Sequence, residues 1–211
     1  LLDVILRKDF GFDPGVTAGT VECNGRSMDI RFLGTFGTHP KMADVLRGVC
    51  ERNGVTPSDT ETMLMALKAK VVTNLREYSA EEFFTRYAKV QDFLEPGEIV
   101  TQVVIPKTAA VARYDKFRER KTIDFAVVGL GSVYELDGKT VKDASIVLGA
   151  VSPIPVRAVE AEQYLIGKQL TEEVAEKTAE IALTAAEPLK QNAYKIQIAK
   201  TLIKRSLLRL I

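Results

Sequence analysis

Four cations stand together ahead of an apolar run: Lys116, Arg118, Arg120 and Lys121, with Glu119 among them and Asp124 closing the group. The residues that follow, Phe125-Ala126-Val127-Val128-Gly129-Leu130-Gly131, are apolar enough for a buried strand. Cations at the mouth of such a strand form a rim able to hold an anion or a negatively polarised ring. The plainer reading is a solvated turn entering a core strand, and the pattern alone favours it. Other chemistry finds little footing. Cys23 and Cys50 lack metal-ligand spacing, and with one histidine, His39, nothing supports a protein-built zinc or iron–sulfur site. Nor does any pairing set a nucleophile beside a base, so hydrolysis has no support.

The elements that must position these residues come from an ordinary globular composition. The chain has 211 residues, 46% hydrophobic and 27% charged, enough for one sizeable core or two small ones. A net charge of +1 gives no basis for general nucleic-acid or anionic-membrane affinity. Two free thiols fit a reducing compartment, so the expected location is cytoplasmic. No run reaches the length of a membrane span, and the start has no signal-peptide layout. Beginning Leu1-Leu2-Asp3-Val4 without methionine, the chain is expected to start inside a longer parent.

Along the chain, Leu1 to Ile5 reads as a strand, and Asn24-Gly25 between Val21–Cys23 and Asp29–Gly34 is a hairpin signal. Helices are expected over 40–51 and over 60–68, the latter with Met63, Leu64 and Leu67 inward. A strand over 69–74 precedes Ser79-Ala80-Glu81-Glu82, a capping box opening a short helix. Pro96-Gly97 is the best boundary, dividing residues 1–94 from 95–211. Beyond it four strands, 98–106, 112–117, 125–136 and 141–148, predict an antiparallel sheet. Three helices follow: one from Pro155 to Ile166, one capped by Thr171 with Val174, Thr178, Ile181 and Ala185 inward, and one over 193–210. The second half is therefore α+β, with about three helices packed on one face of its sheet.

Four motifs occur in a telling order: Leu94-Glu95-Pro96-Gly97-Glu98-Ile99-Val100; Lys116-Phe117-Arg118-Glu119-Arg120-Lys121 before Ile123-Asp124-Phe125-Ala126; Leu148-Gly149-Ala150-Val151-Ser152-Pro153-Ile154-Pro155-Val156-Arg157-Ala158; and Leu202-Ile203-Lys204-Arg205-Ser206-Leu207. Together they resemble the C-terminal domain of the FAD-binding medium subunit of molybdenum hydroxylases, the family of xanthine dehydrogenase, carbon monoxide dehydrogenase and aldehyde oxidase. Upstream, Met28 to His39 and Thr56-Pro57-Ser58-Asp59 through Leu67 are similar to the same family's FAD-binding domain, here a shortened remnant. Two glycine-rich loops of the family are not present. Ala18-Gly19-Thr20 is a poor echo of the first, and where the second belongs the chain runs Gly54-Val55-Thr56-Pro57. Such loops hold a diphosphate through closely approaching backbone amides.

The resemblance implies FAD as cofactor and a set of contacts. Ser58 and Asp59 would lie near its diphosphate and ribityl chain, although a Ser or Asp before an apolar helix is equally a cap. Val100 would pack on the flavin, or is an ordinary strand residue. Lys116 would reach the FAD; Arg120, Lys121 and Asp124 would form a charged loop beside the ring; Thr35 and Phe36 would lie near the adenine or ring. His39 matches a turn histidine and is expected to be structural. The resemblance also implies partner subunits, a large one carrying molybdopterin and a small one carrying two [2Fe–2S] clusters, with NAD or another acceptor taking electrons. Such a subunit is an oxidoreductase component that does not oxidise substrate on its own. A flavin-free scaffold subunit is the competing expectation, favoured by the two lost loops.

Overall fold

The computed structural model describes residues 19–23, 26–30, 57–89, 93–120 and 125–211. The expected strand at 1–5, the helix at 40–51, and Thr35, Phe36 and His39 lie outside them. Two compact units divide the chain, residues 1–57 with 68–108 and residues 58–67 with 109–211. The division thus differs from 1–94/95–211: residues 95–108 stay with the first unit, where Val100–Val104 pairs with Lys70–Thr73, and one early helix joins the second.

In the first unit, β1 (Gly19–Cys23) and β2 (Arg26–Ile30) form an antiparallel hairpin with Cys23 opposite Arg26. That register leaves two residues for the connection, as Asn24-Gly25 predicts. A three-stranded sheet of order β4-β3-β5 is made by β3 (Lys70–Thr73), β4 (Glu77–Ser79) and β5 (Val100–Val104). The strand expected at 98–106 therefore pairs with β3 and does not join the sheet that follows. Hydrophobic alternation shows which face is buried but does not choose a partner strand. Helix α2 (Ala80–Lys89) begins as the capping box requires, with the Glu82 amide donating to Ser79 Oγ at 3.0 Å. Its Phe83 meets Tyr78 and Phe93 edge to face, with ring centres 5.9 and 5.1 Å apart.

One buried carboxylate ties two turns of this unit together. Glu98 accepts from Thr73 Oγ1 at 2.7 Å, the Tyr78 hydroxyl at 3.2 Å and the Glu95 amide at 3.0 Å, with Arg76 Nε at 3.4 Å. The Glu95 amide above all, then the Thr73 hydroxyl and the Arg76 charge, hold its pKa below the ordinary 4.5 against the opposing effect of burial. A carboxyl whose folded pKa is lowered adds stability that is present above the unfolded value and lost as pH falls through the folded one. Urea unfolding of the chain should therefore show the first unit weakening below about pH 4.5, and Glu98→Gln should flatten that dependence. An unchanged acid limb in the variant would remove Glu98 as its source.

The second unit is built on four antiparallel strands in the order β6-β7-β8-β9: Val111–Phe117, Val128–Asp137, Thr140–Gly149 and Val156–Arg157. Three helices cover one face, α3 (Val159–Leu165), α4 (Glu172–Ile181) and α5 (Tyr194–Leu208). Leu130, Tyr134, Ile146, Leu165, Ile203 and Leu207 are the large members of that core. Thr171 caps α4, accepting from the Val174 amide at 3.2 Å. The helix ends at Ile181, so Ala185 is exposed and not inward. The helix expected from Pro155 begins only at Val159, because Val156 and Arg157 pair with Leu148 and Val147. Strand β7 begins at Val128, three residues later than expected, and Phe125 is exposed.

The opposite face of this sheet is covered as well. Helix α1 (Pro57–Ala66) lies on it, with Thr62, Met65 and Ala66 buried, while Met63, Leu64 and Leu67, expected to face inward, are half-buried. Glycines explain the close fit. A Cβ at Gly131 would sit 2.9 Å from the Thr62 carbonyl oxygen, and one at Gly149 would strike the Thr62 side chain. A strand glycine without a turn marks close backbone approach, and here the approaching backbone is α1. The run from Val128 to Gly131 is apolar on alternate positions for the helices and nearly bare on the others for α1.

Candidate functional site

Strand β6 sets two polar side chains on the face that α1 covers. Tyr114 stands opposite Gly131 and Lys116 opposite Gly129, two residues apart and so on the same side of the strand. Pro57 opens α1, as its fixed φ allows, and Asp59 falls in the first turn, where the helix dipole favours an anion. That turn lays Asp59 across both residues of β6. Its Oδ2 accepts from Lys116 Nζ at 2.8 Å, and its Oδ1 accepts from the Tyr114 hydroxyl.

Burial gives these contacts their weight. The Asp59 side chain is 2% exposed and that of Lys116 10%. Desolvation pushes the Tyr114 phenol far above its ordinary range, and the hydrogen bond to Asp59 adds to the shift. The phenol therefore keeps its proton and donates it to Asp59. One N–H of Lys116 is used by Asp59; the other two have no partner among the described residues. The site is thus an acid–base pair of zero net charge with donor capacity left on its cation.

The residues singled out from the sequence are not all brought together. Asp59 and Lys116 are joined directly, across 57 residues of sequence. Ser58 follows Pro57 within the helix, so neither it nor Asp59 is the residue before the helix that a cap requires. Val100 opens β5, half-buried, in the first unit. Arg120 is exposed just beyond β6, with a partner of its own. Lys121 and Asp124 lie outside the described residues. Tyr114 went unnoticed in the sequence. The spacing Tyr-x-Lys on a strand facing Gly-x-Gly was the available signal, since alternate glycines there make room for polar side chains beneath a helix.

On the other face of β6, Asp115 pairs with Arg209 from the end of α5. Among the described residues no group of three His, Cys, Asp or Glu side chains could hold a metal ion, and no helix is long and apolar enough to cross a membrane.

Two family models match in succession: the FAD-binding domain in molybdopterin dehydrogenase over residues 27–108, and the CO dehydrogenase flavoprotein C-terminal domain over 112–210. Among curated proteins the chain is similar to the carbon monoxide dehydrogenase medium chain of Hydrogenophaga pseudoflava, 29% identical over 165 residues, covering 74% of this chain and 56% of that one. It is 27% identical to the glyceraldehyde dehydrogenase medium chain of Sulfolobus acidocaldarius, covering 72% and 51%. With the nicotinate dehydrogenase FAD-subunit of Eubacterium barkeri it shares 30%, covering 74% and 51%. The chain thus spans about half the length of these relatives. Of solved structures, quinoline 2-oxidoreductase from Pseudomonas putida 86 superposes with a TM-score of 0.62 at 25% identity, over 74% of this chain and 55% of that one. Carbon monoxide dehydrogenase from Hydrogenophaga pseudoflava gives 0.61 at 28%, over 72% and 54%.

Proposed function

Because the chain belongs to the FAD-binding medium subunits of the molybdenum hydroxylase family, we propose that it is the electron-transfer component of a heteromeric dehydrogenase. In this reading a molybdopterin subunit oxidises the substrate, an iron–sulfur subunit carries the electrons onward, and FAD on this chain delivers them to NAD or another acceptor. The observation that carries it is the uninterrupted order of the two flavoprotein domains along one chain.

The residues present fit the ring end of that cofactor. Lys116 has two donors to spare and a fixed position, which suits the carbonyl edge of an isoalloxazine. When bound, FAD supplies a store that trades single electrons for pairs. The protein's part is to orient and to set charge. Lys116, held from β6, offers hydrogen bonds to the ring edge; the sheet and α1 hold that ammonium still. Arg120, exposed just beyond β6, would border the ring.

Replacing Lys116 by Ala should weaken FAD retention by about tenfold, the scale of one charge-assisted hydrogen bond. Flavin content is read by absorbance of the purified complex and by the flavin released on denaturation. Unchanged retention and unchanged potential would take Lys116 out of the site. A complex that assembles without any flavin would instead favour the scaffold reading, which the short run Gly54-Val55-Thr56-Pro57 supports, since no glycine-rich loop stands there to wrap a diphosphate.

A further inference from the structure

The chain of contacts from Tyr114 through Asp59 to Lys116 assigns its members unequal roles. Asp59 is the most buried of the three, and both of its oxygens are committed inside the second unit. A carboxylate so placed would also repel a diphosphate rather than bind it. Tyr114 approaches so closely that a Cβ on Gly129 would collide with its hydroxyl, so the strand itself is shaped to admit the ring. We propose that Asp59 is the counter-ion of Lys116 and not a cofactor ligand, and that Tyr114 is a positioning residue holding Asp59 against Lys116. This rests on the flavin reading above only for its consequence. A ring bound at Lys116 meets a balanced ion pair, not a bare cation, and the anionic reduced ring gains correspondingly less from it.

The variants are Asp59→Asn and Tyr114→Phe, each in the assembled complex, with two readouts. The first needs no flavin: acetylation of Lys116 by an N-hydroxysuccinimide ester, followed by peptide mass spectrometry with surface Lys142 as internal reference. Loss of the carboxylate that holds its ammonium should speed acetylation of Lys116 in Asp59→Asn by about tenfold, the scale of one charge-assisted hydrogen bond. Tyr114→Phe, which keeps the carboxylate but frees it on one side, should give a smaller rise in the same direction. The second readout is the flavin. Asp59→Asn should retain FAD at least as tightly as the parent and raise its midpoint potential; Tyr114→Phe should raise it by a smaller amount. A merely structural tyrosine would leave the potential unmoved.

Acetylation rates equal to the parent in both variants overturn the pairing, whatever the flavin does. Looser FAD in Asp59→Asn with normal acetylation restores Asp59 as a ligand. Faster acetylation in a complex that never holds flavin leaves the pairing standing and removes the flavin reading alone.

Discussion

Gly131→Val is expected to lift α1 from the sheet and to lower the stability of the second unit by about 3 kcal/mol, the upper part of the range for overpacking a tight core. The new side chain would begin 2.9 Å from a backbone carbonyl, with Ala66 Cβ at 3.2 Å and Met63 Sδ at 3.3 Å beyond it. The sulfur can move aside; the carbonyl belongs to a helix and cannot. Thr62 and Ala66 are almost fully buried, so displacing α1 opens apolar surface along its whole contact line. Separation would also pull Asp59 from Lys116, leaving two charges to find new partners at once. Gly131→Ala should show the same effect at smaller size. Urea midpoints followed by circular dichroism measure both, and midpoints unchanged in both variants would mean that α1 does not seat on this face.

Glu162→Ala should cost about 3–5 kcal/mol, the range for removing one partner of a buried ion pair. Strand β9 pairs with only two residues of β8, so most of that edge needs other acceptors and donors. Glu162 supplies one. Its Oε1 accepts from the Ile146 amide at 2.8 Å, and Arg157 meets the carboxylate through Nε at 3.0 Å and through a terminal nitrogen at 2.7 Å. The carboxylate side chain is 4% exposed while Arg157 keeps 27%, so truncation strands the buried Ile146 amide and takes one carboxylate from the guanidinium. Replacing both members with methionine should recover a large part of the loss, because apolar substitutes carry no desolvation debt. Thermal unfolding of the parent and the two variants distinguishes these cases. A double variant as unstable as Glu162→Ala would put the cost in the unsatisfied Ile146 amide instead.

The sheet-and-helices plan of the second unit was legible because its signals are local. Thr171 before two acidic residues marks a helix start, and the Asp137-Gly138 turn followed by the apolar run Ile146-Val147-Leu148 marks a returning strand. What could not be read was partnership across distance. Residues 100–104 look the same whether they pair with β3 or with β6, and they pair with β3. Pro155 suits a helix start, but pairing of the next two residues with β8 outweighs that preference. At the candidate site, Lys116 and Asp59 were each picked out through family motifs, yet their direct contact was not, since no local rule links residues that far apart. Tyr114 had no motif to draw notice. The alternate glycines opposite it were plain in the sequence, and their meaning depended on knowing that a helix would come to lie there.

The placement of α1 has a consequence for the order in which the protein is made. The ribosome releases this helix well before any strand of the sheet it will cover, with β3, β4, α2 and β5 emerging in between. The second unit therefore cannot close during synthesis as a contiguous tail. When β7 and β8 first pair, their glycine-lined face must recruit a segment that left the exit tunnel long before. A gene fragment encoding residues 109–211 alone would carry the strands and three helices but not that cover. Cutting or recombining such genes between the two family domains would divide a folding unit, and any exchange that preserves it has to carry the early helix along with the late sheet.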